Sequence, residues 1–173
     1  MATVTVRPAT AHDIAAITRI YRHAVLHGTA SFEIEPPEEA EMGARQQLLL
    51  DGGYPYLVAE TDRVVGYGYA GPYRLRPAYR WSVEDSIYIA PDAHRRGIGR
   101  ALLTQLIDES ERRGFRQMIA VIGDTQNVAS IELHRALGFR HVGTFAAVGF
   151  KHGRWLDSVL MQRSLGVGDA AVP

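Results

Sequence analysis

The chain has 173 residues, the length of one domain, and is 46% hydrophobic and 22% charged, which suits a globular core and excludes a disordered or fibrous chain. Nineteen basic residues balance nineteen acidic ones, so overall charge gives no support for binding nucleic acid or an anionic membrane, and any anion site must come from a local cluster. The absence of cysteine excludes disulfides, thiolate metal ligands and a cysteine nucleophile.

Met1 to Arg7 alternates polar and apolar residues without the long apolar core of a signal peptide, and the apolar runs elsewhere fall short of a membrane span. A cytoplasmic protein with no membrane partner is therefore expected. Val4 and Val6 alternate with Thr3, Thr5 and Arg7 as a first strand. Thr10 and Asp13 have the spacing of a capping box before a helix whose apolar stripe is Ile14, Ile17, Ile20, Tyr21, Ala24 and Val25. After an irregular stretch, Thr29 to Pro37, a second helix is predicted to end near Gly52 and Gly53. Tyr56–Glu60 and Val64–Ala70 read as strands joined by a short turn, and Trp81–Ala90 as a further strand after an Arg-, Pro- and Tyr-rich loop.

A basic loop, Pro91 to Gly97, leads into a helix over Arg100–Arg113 with Leu102, Leu103, Leu106 and Ile107 on one face, capped by Gly114. A buried strand over Gln117–Ile122, a helix over Asn127–Leu137 and two final strands, Arg140–Phe150 and Trp155–Arg163, complete the pattern. The order predicts a single α/β (α+β) domain, a mixed sheet with helices packed on it, over residues 1–165, with a flexible tail over 166–173.

Gly66 to Gly71 matches the glycine spacing of a dinucleotide fingerprint, but the glycines lie inside a strand pattern and Pro72 follows, which favours a plain strand with small residues. The informative glycines come later, in His94-Arg95-Arg96-Gly97-Ile98-Gly99-Arg100, between a strand and a helix. A helix start offers unpaired N–H groups and partial positive charge, two glycines permit close backbone approach, and three arginines add charge. Together they make a pyrophosphate cradle, whose bland alternative is a solvated basic turn. On the next helix, Asn127, Ser130 and His134 share one face. Asn127 is equally suited to capping that helix, and His134 to a structural hydrogen bond. His23 and His27 have the spacing of helical zinc ligands without a third ligand, so no metal is expected.

Basic loop, Gly-x-Gly, helix, strand and then Asn-x-x-Ser-x-x-x-His-x-x-x-Gly-Phe resembles the GNAT superfamily of acetyltransferases over the whole chain. Thr29-Ala-Ser-Phe-Glu-Ile-Glu-Pro, Ser82-Val-Glu-Asp-Ser-Ile-Tyr-Ile, Leu133-His-Arg-Ala-Leu-Gly-Phe and Lys151-His-Gly-Arg-Trp-Leu-Asp are more similar still to the phosphinothricin and methionine sulfoximine/sulfone acetyltransferase group. One departure is His94, where the family loop usually has Gln or Arg.

The resemblance implies a mixed, mainly antiparallel sheet flanked by helices, acetyl-CoA as co-substrate without metal, a small amino-acid acceptor and a homodimer. It implies that the cradle, Ile87, Tyr88, Ile89, Asn127 and Ser130 hold the cofactor, one of the N–H groups near Ile87 to Ile89 stabilising the oxyanion. Glu84, on the strand just before the cradle, is the candidate base, alone or through water. His134 stands where many relatives carry a tyrosine that protonates the leaving thiolate, and an imidazole there can do the same or assist Glu84 as base. For an acceptor carboxylate, Arg74 and Arg76 supply forked donors, with Phe32 and Tyr73 as pocket walls. The competing readings are a GNAT enzyme for another amine, such as a protein N-terminus or a polyamine, and a non-catalytic CoA-binding sensor.

Overall fold

The computed structural model describes residues 3–173; Met1 and Ala2 lie outside the described residues. Its elements are β1 (Thr5–Pro8), α1 (Ile14–His27), α2 (Glu39–Asp51), β2 (Tyr56–Glu60), β3 (Val64–Pro72), β4 (Ser82–Ile89), α3 (Ile98–Arg112), β5 (Gln117–Gly123), α4 (Val128–Ala136), β6 (Arg140–Lys151) and β7 (Arg154–Ser164). Every strand and helix expected from the periodicity is present, with ends moved by no more than two residues. Among the described residues no helix is long and apolar enough to cross a membrane.

The start of α1 shows local sequence setting local structure. The Thr10 N–H donates to Asp13 Oδ2 at 2.8 Å, which satisfies one of the open donors at the helix entrance. Arg7 Nη2 donates to the other carboxylate oxygen at 2.8 Å, so β1 and the helix entrance are tied together. The Arg7 hydrogen bonds, helped by the Thr10 N–H and opposed by burial, hold the Asp13 carboxyl down to about 2. From there Ile17, Ile20, Tyr21 and Val25 turn one buried stripe toward the sheet.

The seven strands form one sheet in the order β1-β2-β3-β4-β5-β7-β6. All neighbours are antiparallel except β4 and β5, which run parallel because α3 crosses between them. Alternation along the strands then decides which helix each residue meets. Gly66 has room for nothing larger, because an added Cβ would stand 2.9–3.2 Å from Ile89, Ile98 and Leu102. That close approach seats α3 on β3 and β4, and it explains these glycines without any nucleotide. The opposite face carries Tyr56, Tyr67, Tyr69 and Tyr88, with Tyr21 of α1 edge-on to Tyr88 at 5.0 Å between centroids. One buried core, with Ile17, Val58, Leu102, Leu106, Met118 and Met161 at its centre, fills both layers. Past β7, Leu165 is buried and its N–H donates to the Arg116 carbonyl, after which Gly166 to Ala170 runs in turns.

Candidate active site

Four β4–β5 pairs form, from Ser82↔Gln117 to Asp85↔Ala120, and then the strands part. Beyond that point β4 keeps only β3 as a neighbour and β5 keeps only β7. The ladder alternation fixes which groups the fork leaves open. The Ala90 N–H donates to Val65 and the Tyr73 N–H to Ser82, so the even-numbered residues of β4 bond to β3. Ile87 and Ile89 therefore aim their N–H groups into the fork. Of the three residues expected to offer an oxyanion donor, Tyr88 is excluded: its backbone pairs with Tyr67, and its ring packs on the α1 side against Tyr21 and Tyr67.

At the open end of the fork lies the basic loop. Arg95 and Gly97 have φ of 61° and 77°, a left-handed alternation that turns successive N–H groups to one side. Gly97 is the N-cap of α3, and glycine is needed there for its φ, since an added Cβ would meet open space. Gly99 is small for a different reason: its Cβ would stand 3.1 Å from Leu133, so it lets α4 pack on α3. Ile98 contributes only backbone to the cradle, because its side chain is buried. Arg95, Arg96 and Arg100 are exposed and, among the described residues, lack a carboxylate partner. His94 is exposed, and its Nε2 donates to the Ile89 carbonyl at 3.1 Å, which ties the loop to the end of β4.

Glu84 and Asp85 are neighbours in sequence and lie on opposite faces of β4. Glu84 is half-buried; burial first, then the Asp85 charge, pushes its carboxyl up to about 7 against the pull of Arg74. That value suits a group exchanging protons near neutrality. Asp85 is buried on the α4 side, with Oδ2 3.0 Å from His134 Nε2. His134 Nδ1 lies 2.7 Å from the Ser130 carbonyl, so both ring nitrogens have partners within the protein. The nearby Asp85 charge and hydrogen bond outweigh the desolvation that would lower the ring's affinity for protons, and its pKa is raised. On the same helix Asn127 is the N-cap, its Oδ1 accepting the Ser130 N–H at 3.3 Å.

The acceptor side of the fork is walled by parts distant in sequence. Tyr73 and Tyr79 line an open cavity of about 250 Å³ with Ser82, Ile119 and Leu160, on the Glu84 face. The Arg74 guanidinium lies 5.0 Å from the Tyr73 ring centre and acts on Glu84, whereas Arg76 is exposed at the entrance to a turn and has no ion pair among the described residues. Phe32 comes from the other side. Its ring lies so close over Gly149 and Gly123 that added Cβ atoms would stand 2.5 and 2.9 Å from it. The Thr29 carbonyl passes closer still to Gly123, 2.1 Å from where a Cβ would be.

Sequence reasoning did not find the groups that hold Phe32 there. Lys151 Nζ, buried, donates to the Ser31 carbonyl at 2.7 Å, and the Tyr21 hydroxyl bonds Ser31 Oγ at 2.8 Å and Glu33 at 3.0 Å. Lys151 is placed by a tight turn in which His152 and Gly153 both have positive φ. The only hint in the sequence was the His-Gly pair between two strands. His23 and His27 stack at 4.7 Å, and among the described residues no group of three or more His, Asp or Glu side chains is arranged to hold a metal ion.

A family model described as an acetyltransferase (GNAT) domain matches residues 6–160. The phosphinothricin N-acetyltransferase of Alcaligenes faecalis is 54% identical over 170 residues, covering 98% of this chain and 86% of that one. The L-methionine sulfoximine/L-methionine sulfone acetyltransferase of Salmonella typhimurium is 43% identical over 166 residues, covering 94% of this chain and 95% of that one. The crystal structure of a GNAT superfamily phosphinothricin acetyltransferase from Sinorhizobium meliloti, in complex with acetyl-CoA, aligns with a TM-score of 0.96 at 53% identity, covering 99% of this chain and 93% of that one.

Replacing Lys151 by Met keeps the stem and removes the donor to Ser31. Amide hydrogen exchange of residues 29–33 should then speed up while that of α3 stays protected. Unchanged exchange in both segments would show that the Phe32 loop is held without Lys151.

Proposed function

This chain belongs to the GNAT acetyltransferase family, and on that premise we propose that it transfers the acetyl group of acetyl-CoA to the α-amino group of a small amino-acid analogue such as phosphinothricin, methionine sulfoximine or methionine sulfone. The observation that carries the reading is Glu84, a half-buried carboxylate poised near neutrality beside a fork that presents the free N–H groups of Ile87 and Ile89. The named relatives supply the acceptor class. A cytoplasmic setting belongs to the same proposal.

In this reading the residues divide the work by position. The N–H groups at the start of α3, with Arg95, Arg96 and Arg100, hold the pyrophosphate of acetyl-CoA. Ile87 and Ile89 offer hydrogen bonds along the fork, where carbonyl oxygen charge develops. Asn127 and Ser130 shape the α4 end. Glu84 takes a proton from the acceptor amine, directly or through water, and His134 supplies one to the departing thiolate. Arg74 binds the acceptor carboxylate, with Tyr73 and Phe32 as walls.

Thiol release from acetyl-CoA, measured with each of the three acceptors, tests the reading. Turnover with at least one is expected, and Glu84→Gln should lower kcat about 10²-fold or more. Wild-type kcat/KM should fall as pH drops below about 7, because protonated Glu84 cannot accept the amine proton. A protein that binds acetyl-CoA but turns over none of the three leaves acetyl transfer to some other amine, such as a protein N-terminus, or a non-catalytic CoA-binding sensor.

The two arginines separate in a second measurement. Arg74→Ala should raise the acceptor KM about 10-fold or more, the loss of one charge-assisted hydrogen bond, while Arg76→Ala changes it less. The KM for acetyl-CoA should stay close to wild type in both. Wild-type acceptor KM in Arg74→Ala would move the carboxylate clamp elsewhere.

We also propose that the chain is a homodimer joined through the β6–β7 hairpin. Val142, Phe145, Val148, Phe150 and Trp155 are 52–65% exposed on that one hairpin, an apolar concentration that a second copy can cover isologously. Sedimentation should give a dimer for wild type and a monomer for Trp155→Arg. A monomeric wild type removes this proposal and leaves the catalytic one standing.

A further inference from the structure

We propose that Asp85 is a positioning residue for acetyl transfer: through its buried pair with His134 it keeps that ring loaded with a proton and sets the charge beside Glu84. The inference rests on the reading of Glu84 as the base. No motif in the sequence singles out Asp85, and the pair joins residues 49 apart, on a strand and a helix.

The hydrogen-bond chemistry fixes what the pair holds. A backbone carbonyl only accepts, so the 2.7 Å contact with Ser130 requires a hydrogen on His134 Nδ1. The 3.0 Å contact between Nε2 and Asp85 Oδ2 then needs another hydrogen between them. The raised proton affinity of the ring places it on nitrogen, so the pair stores one proton beyond a neutral ring beside a carboxylate. The side chains of His134 and Asp85 are 5% and 2% exposed, so water cannot take over either contact cheaply. Phe139 packs edge-on against the ring at 4.9 Å and holds its plane.

Position supplies the rest. Asp85 is the last residue of β4 to pair with β5, so the proton store lies at the fork. Asp85 Oδ1 is buried there without a hydrogen-bond partner. The groups that face this cluster are few. His134 comes from α4, Arg74 acts on Glu84 from the loop before β4, and Tyr69 of β3 lies on the Glu84 side. Opposite them on β5 stand Ile119 and Ala120, which do not titrate.

The transfer then balances. The amine forms its bond to the acetyl carbon and gives its proton to Glu84. The C–S bond breaks with its electron pair on sulfur, and sulfur takes the proton of the pair. Neutral His134 and ionised Asp85 remain, with the amine proton on Glu84; when the products leave and solvent enters the fork, Glu84 releases that proton and the pair takes one up.

Asp85→Asn and His134→Phe test this in the full chain. Asn keeps the shape and can donate to Nε2, so the ring stays in place without its extra proton. Imidazole nitrogen NMR should show a charged His134 in wild type at neutral pH and a neutral one in Asp85→Asn. Both variants should lose kcat, about 10²-fold or more. The acidic limb of kcat/KM should move in opposite directions. It falls to lower pH in Asp85→Asn, which removes both charges of the pair but of the two only Asp85 acts on Glu84, and rises in His134→Phe, which leaves the Asp85 charge unbalanced. A purely structural pair would give lost activity with no opposed shifts. If Asp85→Asn does not fold, Asp85→Ser, with room for a water, takes its place.

Wild-type turnover with the acidic limb unmoved in either variant, or a neutral His134 in wild type, overturns the inference alone. A wild type with a charged His134 that acetylates no amine overturns the proposed function and the inference with it.

Discussion

The parting of β4 from β5 after Asp85 and Ala120 is the constraint from which the rest of the site follows. A strand edge inside a sheet leaves backbone donors and acceptors that must find partners, since a lost hydrogen bond in a low-dielectric place is costly. Here the open groups are the odd-numbered ones of β4, at Ile87 and Ile89, and the Ile89 carbonyl is already taken by His94. The remaining N–H groups point where α3 begins, and α3 begins with a glycine whose left-handed φ leaves its first N–H groups uncovered. An extended ligand with carbonyl acceptors at one end and phosphate at the other meets donors along its whole length.

The fork also explains why two adjacent carboxylates can behave so differently. Strand alternation sends Glu84 to a half-open face and Asp85 to a closed one. Asp85 is compensated by a single cation, His134. The pKa of His134 is raised on folding, so its contribution to stability is complete below the pKa of an unfolded histidine, about 6.5, and is lost as pH rises through the higher folded value. Glu84 has only the exposed Arg74 to favour its charged form, and so burial dominates. A buried pair of this kind adds little net stability relative to apolar side chains of the same size.

How far the sequence displays this depends on the range of each interaction. The elements follow from periodicity and from glycine and proline positions, which are local, and the cradle was legible because its residues are contiguous from His94 to Arg100. The distinct jobs of its glycines were not legible, since Gly97 answers to its own φ and Gly99 to Leu133 on another helix. Alternation alone placed Glu84 and Asp85 on opposite faces, but that Asp85 meets His134 depends on how α4 lies over β4. Asn127 and His134 share one helix face, and the structure gives them the capping and hydrogen-bonding partners that were the plainer alternatives. The contacts of Gly123, Gly149 and Lys151 were not legible because each serves a loop more than 90 residues earlier in the chain.

Zero net charge conceals a sorted surface. Arg7, Arg22, Arg45, Arg63, Arg112, Arg113, Arg135, Arg154 and Arg163 each stand within ion-pair distance of a carboxylate. Those without such a partner among the described residues include Arg74, Arg76 and Arg80 in the loop before β4 and Arg95, Arg96 and Arg100 in the loop after it, besides Arg19, Arg116 and Arg140 elsewhere. An exposed pair contributes at most about 1 kcal/mol, so, apart from Arg7 and Arg154, whose partners Asp13 and Asp124 are buried, the paired arginines matter less for stability than for taking their charge out of the field. What remains is positive potential at both ends of one strand, with the Glu84 carboxylate between them. In the proposed reaction the two anionic groups, the phosphates of one substrate and the carboxylate of the other, would be drawn to opposite ends of β4. The reacting amine and thioester would then meet at the middle, beside Glu84, whose carboxyl burial pushes up to about 7.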